Sequence, residues 1–304
     1  MGQVIQASEV SEVVTKEFDF SVDKFPLFLP DNQRTPLYGL TRSDTGEIVE
    51  GTASKTKQYI PHTTEDIVAL AEAASECFDG DIVCDAHFRS GHFIALRPTN
   101  TDRREVYNSY DPIWPSIVIS AGFDGKAVIA RCGYWRDNCL NLAMMSQIAG
   151  TKTSIRHNGN MRIHMDSLLL QFKELKSSWD NVYDAAMSMQ QKTVKIDDFF
   201  NKIFTPPTAE ELKQAKKDRK TKNWDNRNTI MKKRIEGERN KMLGTSAAIG
   251  DSATVWELYN AVQGYFQHDS RKKVGFKSEF DGIIRSANQA EVKSAEKLAL
   301  ELAA

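Results

Sequence analysis

At 304 residues, with 40% apolar and 27% charged side chains, the chain can bury a proper core and has the composition of a globular protein. A formal net charge of −1 excludes a polycation that coats nucleic acid by bulk charge alone. No apolar run approaches the roughly 20 residues that a membrane helix needs, and four cysteines in this length suit reduced thiols in a cytoplasmic protein.

The first residues, Met1 to Lys16, lack both the apolar run of a signal peptide and the Arg-rich, acid-poor composition of a transit peptide. Charge is unevenly spread. From Phe204 onward 19 lysines and arginines stand against 14 acids, so the rest of the chain is net acidic.

Residues 1–34 read as an acidic, weakly structured lead-in that ends in the Pro-containing run 25–30. Strands are expected at 37–42 and 47–52 around Ser43-Asp44-Thr45-Gly46, with Gly46 where a turn needs a positive φ. Thr63 and Asp66 form a capping box for a helix to Cys77, with Ile67, Leu70, Ala71 and Ala74 at helical spacing. Strands follow at 82–88, 92–97 and 104–108, then a hairpin of 117–121 and 126–132 around Asp124-Gly125. Residues 140–149 read as a helix ended by Gly150.

Beyond residue 163 the pattern turns helical. Met165, Leu168, Phe172, Leu175, Trp179, Val182, Ala186 and Met189 keep spacings of three and four, a stripe for an internal helix pair or an oligomer seam. Thr205-Pro206-Pro207 marks a boundary, and Thr208 with Glu211 caps the next segment. Between 211 and 241 lie 12 basic and 5 acidic residues with no clean apolar stripe, which suits a solvated helix or a mobile arm. Helices over 253–267 and 278–302 close the chain. The fold expected is α+β: a curved antiparallel sheet with helices on one face over 35–163, then a mainly helical region over 164–304 that contains the basic segment 211–241.

Phosphate-cradling glycine loops and the short catalytic signatures of hydrolases and metalloproteases are absent from the sequence. The cysteines pair as Cys77 with Cys84 and Cys132 with Cys139, each with six residues between, too open for usual zinc spacing. Cys84 with His87 and His92 could form a nucleophilic set, but ordinary hairpin residues explain them as well. No catalytic residue, metal or cofactor is therefore assigned. What recurs is rings beside guanidinium groups: Phe88-Arg89, Tyr134-Trp135-Arg136, and Arg156 with Arg162, joined by Arg104, Trp114 and Arg131. Single-strand binders use this chemistry, cations for phosphates and ring faces for bases. Lys232, Lys233 and Arg234 in the basic segment extend the candidate set.

Four segments carry a family resemblance: Asn108-Ser109-Tyr110-Asp111; Arg131-Cys132 with Asn138-Cys139-Leu140-Asn141; Ile155-Arg156-His157-Asn158-Gly159-Asn160; and Trp256-Glu257-Leu258-Tyr259-Asn260-Ala261-Val262. In this order they resemble a phage/plasmid-like family known only as a domain of unknown function, over roughly 35–268. Tyr110 stands where that family has His, and Pro112-Ile113 where it has Gly-Ser, which speaks against a catalytic role for the site. The chain is also similar to the Drc-type single-stranded-DNA-binding proteins of large podophages. The resemblance implies a phage protein of the host cytoplasm, acting in DNA replication, recombination or transcription. The expected activity is sequence-tolerant binding of single-stranded DNA, with RNA left open, by a homo-oligomer that meets phage replication or transcription proteins. The alternative is a structural or assembly protein that oligomerises through its helical half.

Overall fold

The computed structural model describes residues 2–49, 55–88, 91–99, 103–106, 111–123, 127–136, 141–143, 147–148, 152–155, 177–217, 222–244, 246, 248–270, 283, 286 and 289–304. The fold is α+β, with a large antiparallel sheet that does not close into a barrel. The chain divides into two compact units. Unit 1 comprises Met1–Asp102, Trp114–Gly133 and Ala149–Trp179; unit 2 comprises Arg103–Ile113, Tyr134–Ile148 and Asp180–Ala304.

In unit 1 the strands run in the order β1 (Gln3–Gln6), β4 (Asp81–Phe88), β5 (Gly91–Pro98), β7 (Pro112–Gly122), β8 (Val128–Arg136), β10 (Lys152–Ile155). The register from Ile82 opposite Pro98 to Phe88 opposite His92 makes β4 and β5 a hairpin. Gly91 closes it because a Cβ there would collide with the backbone of Ala121 and Gly122. A separate pair, β2 (Val22–Phe28) and β3 (Arg34–Arg42), forms a second hairpin whose end carries exposed Phe28 and Leu29. The lead-in of the sequence reading is thus structured, with β1, α1 (Val10–Glu17) and β2 inside it. Its buried Val10, Val14 and Phe18 find partners elsewhere in unit 1, since α1 packs on β4 and on the helix at Thr64–Ser75.

Helix α2 (Thr64–Ser75) starts where its capping box predicts, with Thr63 and Asp66 each accepting the other's backbone N–H. Ile67 and Leu70 are fully buried, each worth roughly 1.5–3 kcal/mol of transfer free energy, and α2 packs on α1 and β5. Gly46 takes the positive φ of +68° that its turn requires, and Thr41 bridges to Ile48 across it.

Unit 2 holds β6 (Arg104–Glu105) against the first residues of β7, and β9 (Asn141–Ala143) against the last of β8. The stretch expected as a helix over 140–149 therefore begins as a strand. The helices are α3 (Trp179–Gln191), α4 (Ile196–Ile203), α5 (Ala209–Lys217), α6 (Lys222–Leu243), α7 (Val255–Gly264) and α8 (Ala290–Ala303). The short strands β11 (Thr193–Lys195) and β12 (Ser252–Thr254) tie α4 and α7 together by their leading ends. Of the predicted heptad-like stripe, Trp179, Val182, Ala186 and Met189 are buried within the chain; its first half lies outside the described residues.

All ten residues of α7 are buried, which makes it the central helix of unit 2. Helices α6 and α8 pack against it. The basic segment is not one mobile arm. Asn228, Met231, Ile235, Glu238 and Met242 form a buried stripe at spacings of three and four on α6. Two of its five positions are polar, which hides the periodicity from a count of apolar residues. No helix among the described residues is long and apolar enough to cross a membrane.

Candidate nucleic-acid interface

The fold separates the arginines and rings that the sequence brings together as candidates. Arg136, at the end of β8, is 0% exposed. Its Nε donates to both carboxylate oxygens of Asp111 at 2.7 Å, and its Nη1 donates to Glu238. It cannot reach a phosphate. Arg131 and Trp114 are buried too, at 7% and 8%, so they are corrected from contact residues to interior ones. Phe88 is half-buried with its ring engaged: Phe20 lies 4.8 Å away edge-on, His92 5.1 Å, and the Arg42 guanidinium sits 4.9 Å over it. The Arg42 guanidinium thus takes a place over the ring where a base would stack. Arg89, Arg156 and Arg162 lie outside the described residues.

Other candidates keep surface. Trp135 is half-buried on β8, since alternation along the strand turns it opposite to Tyr134 and Arg136. Arg104 retains 31% of its side-chain surface while bound to Asp180 at 2.6 Å and stacked on Tyr183. Lys232 is 38% exposed beside Asp197, Lys233 is exposed, and Arg234 is held by Asp269 at 2.9 Å.

Helix α5 opens the basic segment. Thr208 accepts from the Glu211 backbone N–H and Glu211 accepts from that of Thr208, so the helix starts at the predicted box. Residues 209–214 are all exposed. The sequence of 209–222 places six lysines and arginines against three acids, Lys213, Lys216, Lys217, Arg219, Lys220 and Lys222. A short helix with no buried side chain at 209–214 draws little stability from packing, and over those residues it presents Lys213 together with Glu210 and Glu211 to solvent.

Of the residues quoted for the family resemblance, Asp111, Asn141 and Trp256–Val262 lie in the interior of unit 2. Trp256 Nε1 donates to Asp111 at 2.8 Å, and Asn141 Nδ2 to the Asn260 carbonyl at 3.1 Å. Gln267, in a π-helical turn at Tyr265–Asp269, uses its amide to bond both the N–H and the carbonyl of Leu142. The same turn aims His268 at Asn141 and Asp269 at Arg234. Arg239 makes a two-toothed bridge to Glu257, which also closes the α7 capping box with Thr254. Sequence reasoning missed this network because its members are far apart: Arg136 and Glu238 are separated by 102 residues.

Unit 1 has its own polar interior. His62 Nε2 and His92 Nδ1 share a hydrogen bond at 2.8 Å. Phe18 packs edge-on to His92 at 4.5 Å and Phe123 stacks on His62 at 4.1 Å. Burial, reinforced by the Arg42 charge, pulls the His92 pKa down to about 3. Burial also pushes the Cys84 and Cys132 thiols up to about 12, which removes the thiolate a nucleophile needs. Among the described residues no three His, Cys, Asp or Glu side chains are grouped to hold a metal ion.

A family model described as a domain of unknown function (DUF932) matches residues 53–299. No curated protein and no solved structure matches the chain.

Proposed function

The chain belongs to the DUF932 family, and we propose that this member binds single-stranded DNA, tolerant of sequence, through its exposed basic segment. The observation that carries the reading is the start of this segment: a capped helix, exposed over 209–214 with Lys213 among those residues, that opens a sequence run of six cations and three acids over 209–222. Cations that track a flexible phosphate backbone need surface, which Lys213 has and which Arg131 and Arg136 of the sheet lack. Lys232 and Lys233 on α6 extend the set, and among the described residues of the sheet Trp135 and Arg104 are the candidate ring and cation that keep solvent access. Two or three stacked bases, each worth roughly 1–3 kcal/mol, would complete a useful affinity.

The wider reading follows from the resemblance. The protein is phage-encoded, works in the host cytoplasm during DNA replication, recombination or transcription, and acts as a binding protein and not an enzyme. Fluorescence anisotropy with labelled oligothymidylate and a matched duplex tests it. Tight single-strand binding that weakens steeply with salt supports the reading; equal binding to duplex, or none to either, ends it.

An assembly role is favoured by a separate observation, the β2–β3 hairpin with Phe28 56% and Leu29 49% exposed. Exposed apolar surface of this kind suits a protein partner or a second copy. Light scattering of the purified protein separates the two cases: a homo-oligomer that dissociates on Phe28→Asp supports self-association, and a monomer argues against it.

A further inference from the structure

Five described arginines lie over an aromatic ring. Four of them also hold a hydrogen-bonding partner: Arg34 donates to the Tyr38 hydroxyl, Arg42 to Asp44, Arg104 to Asp180, and Arg136 to Asp111 and Glu238. Arg227 is the exception. Its guanidinium carbon stands 3.7 Å over the Phe204 ring, yet its Nε is buried with no hydrogen-bond partner, and no carboxylate among the described residues lies within ion-pairing distance. A guanidinium is always charged, and burying part of it without a counter-ion is unfavourable. Burial holds the Arg227 pKa below that of an ordinary arginine, and the charges of Tyr265 and Glu291 offset that shift only in part.

The place is also well defined. Phe204 ends α4 and is itself 4% exposed, so the ring is a fixed floor. Arg227 is half-buried near the start of α6, whose side opposite the stripe faces solvent. A guanidinium seated over a ring directs its N–H groups outward in its own plane, where two of them on one edge can match two oxygens of a tetrahedral anion. The chain leading into α6 is the cation-rich run described above, which raises the local concentration of anions.

We infer that Arg227, floored by Phe204, is a seat for a phosphoryl group at the head of α6. The single-strand reading supplies the source of that group, a backbone phosphate, and the inference rests on that reading for the source alone. Inorganic pyrophosphate carries the same chemistry without a nucleic acid, so the two sources can be told apart.

The side-chain Nε–H resonance of Arg227, assigned by its loss in Arg227→Lys, reports the seat directly. Oligothymidylate and pyrophosphate are titrated separately into the full-length protein. A shift with both probes, with Arg227→Lys and Arg227→Gln binding oligothymidylate roughly tenfold more weakly at unchanged melting temperature, supports the seat. So does a fall of about 0.7 in the salt slope of each variant, as expected for one lost phosphate contact. Phe204→Leu, which removes the floor and keeps the charge, should lose part of the same affinity. A resonance that moves with pyrophosphate while oligothymidylate never binds upholds the seat and removes the single-strand reading. Tight oligothymidylate binding with an unmoved resonance and unaffected variants overturns the seat and leaves the single-strand reading intact. No shift with either probe also overturns it.

Discussion

In unit 1 two buried imidazoles, His62 and His92, face each other among Phe18, Phe88 and Phe123; unit 2 instead buries Asp111 and Arg136, both at 0% exposure, with Glu238 and Trp256 joined to them. The two solutions carry different risks. An imidazole pair can sit uncharged in a dry cluster, and its exposure is to acid. A charged pair has already been desolvated, and removing either partner strands the other. The first interior is therefore sensitive to pH, the second to mutation.

The largest expected effect tests unit 2. Arg136→Met should destabilise the protein by about 3–5 kcal/mol in urea unfolding, because Asp111 is left as an unmatched buried charge. The combined variant Asp111→Leu, Arg136→Met, Glu238→Leu should be milder than the single change, since no charge is then stranded. A combined variant that loses more than the single one would show that packing, not ion pairing, dominates this interior.

Unit 1 gives the next effect. An unfolded histidine titrates near 6.5, whereas burial lowers that of folded His92 to about 3. Between those values the unfolded chain binds the extra proton, so stability falls as pH drops from about 6.5 towards about 3, by a few kcal/mol in total. Above that window this contribution is fully present. Comparing melts of wild type with His92→Gln isolates it: the variant should show a shallower acid slope. Parallel slopes would mean that carboxylates elsewhere govern the acid limb.

What was legible in the sequence follows the same divide. The turn at Gly46 and the boxes at Thr63 and Thr208 are local, decided by residues within one turn, and they could be read directly. The hairpin of β4 and β5 also follows from short-range alternation. Residues 140–149 read as helix, yet Asn141–Ala143 is a strand pinned by Gln267, 125 residues away from Leu142. The arginines of the sheet show the limit for the site. A guanidinium beside a tryptophan looks the same in sequence whether it meets a phosphate or a buried carboxylate. Arg136 became interior because Asp111 and Glu238 come from distant segments, and no local pattern announces that. The stripe on α6 was obscured by Asn228 and Glu238, buried polar residues in core positions.

A smaller effect contrasts the two helices of the basic segment. Thr208→Ala removes the cap of α5 at a local cost of about 1 kcal/mol. Because residues 209–214 are all exposed, hydrogen exchange should speed up within α5 while the global unfolding midpoint stays put. Met231→Ala on α6, whose side chain is fully buried, should instead lower global stability by about 2–5 kcal/mol. Similar global losses for both would mean that α5 is packed as firmly as α6.

The central claim is that the exposed basic segment, and not the arginine-rich sheet, holds the strand. It is tested most directly by the salt dependence of oligothymidylate binding for wild type and for Lys213→Glu, Lys216→Glu, Lys217→Glu combined. Each phosphate contact contributes about 0.7 to the slope of log affinity against log salt on single strands. The account predicts a slope smaller by up to about 2 in the combined variant, with weaker binding and an unchanged melting temperature. A variant that binds with the wild-type slope and affinity would contradict it.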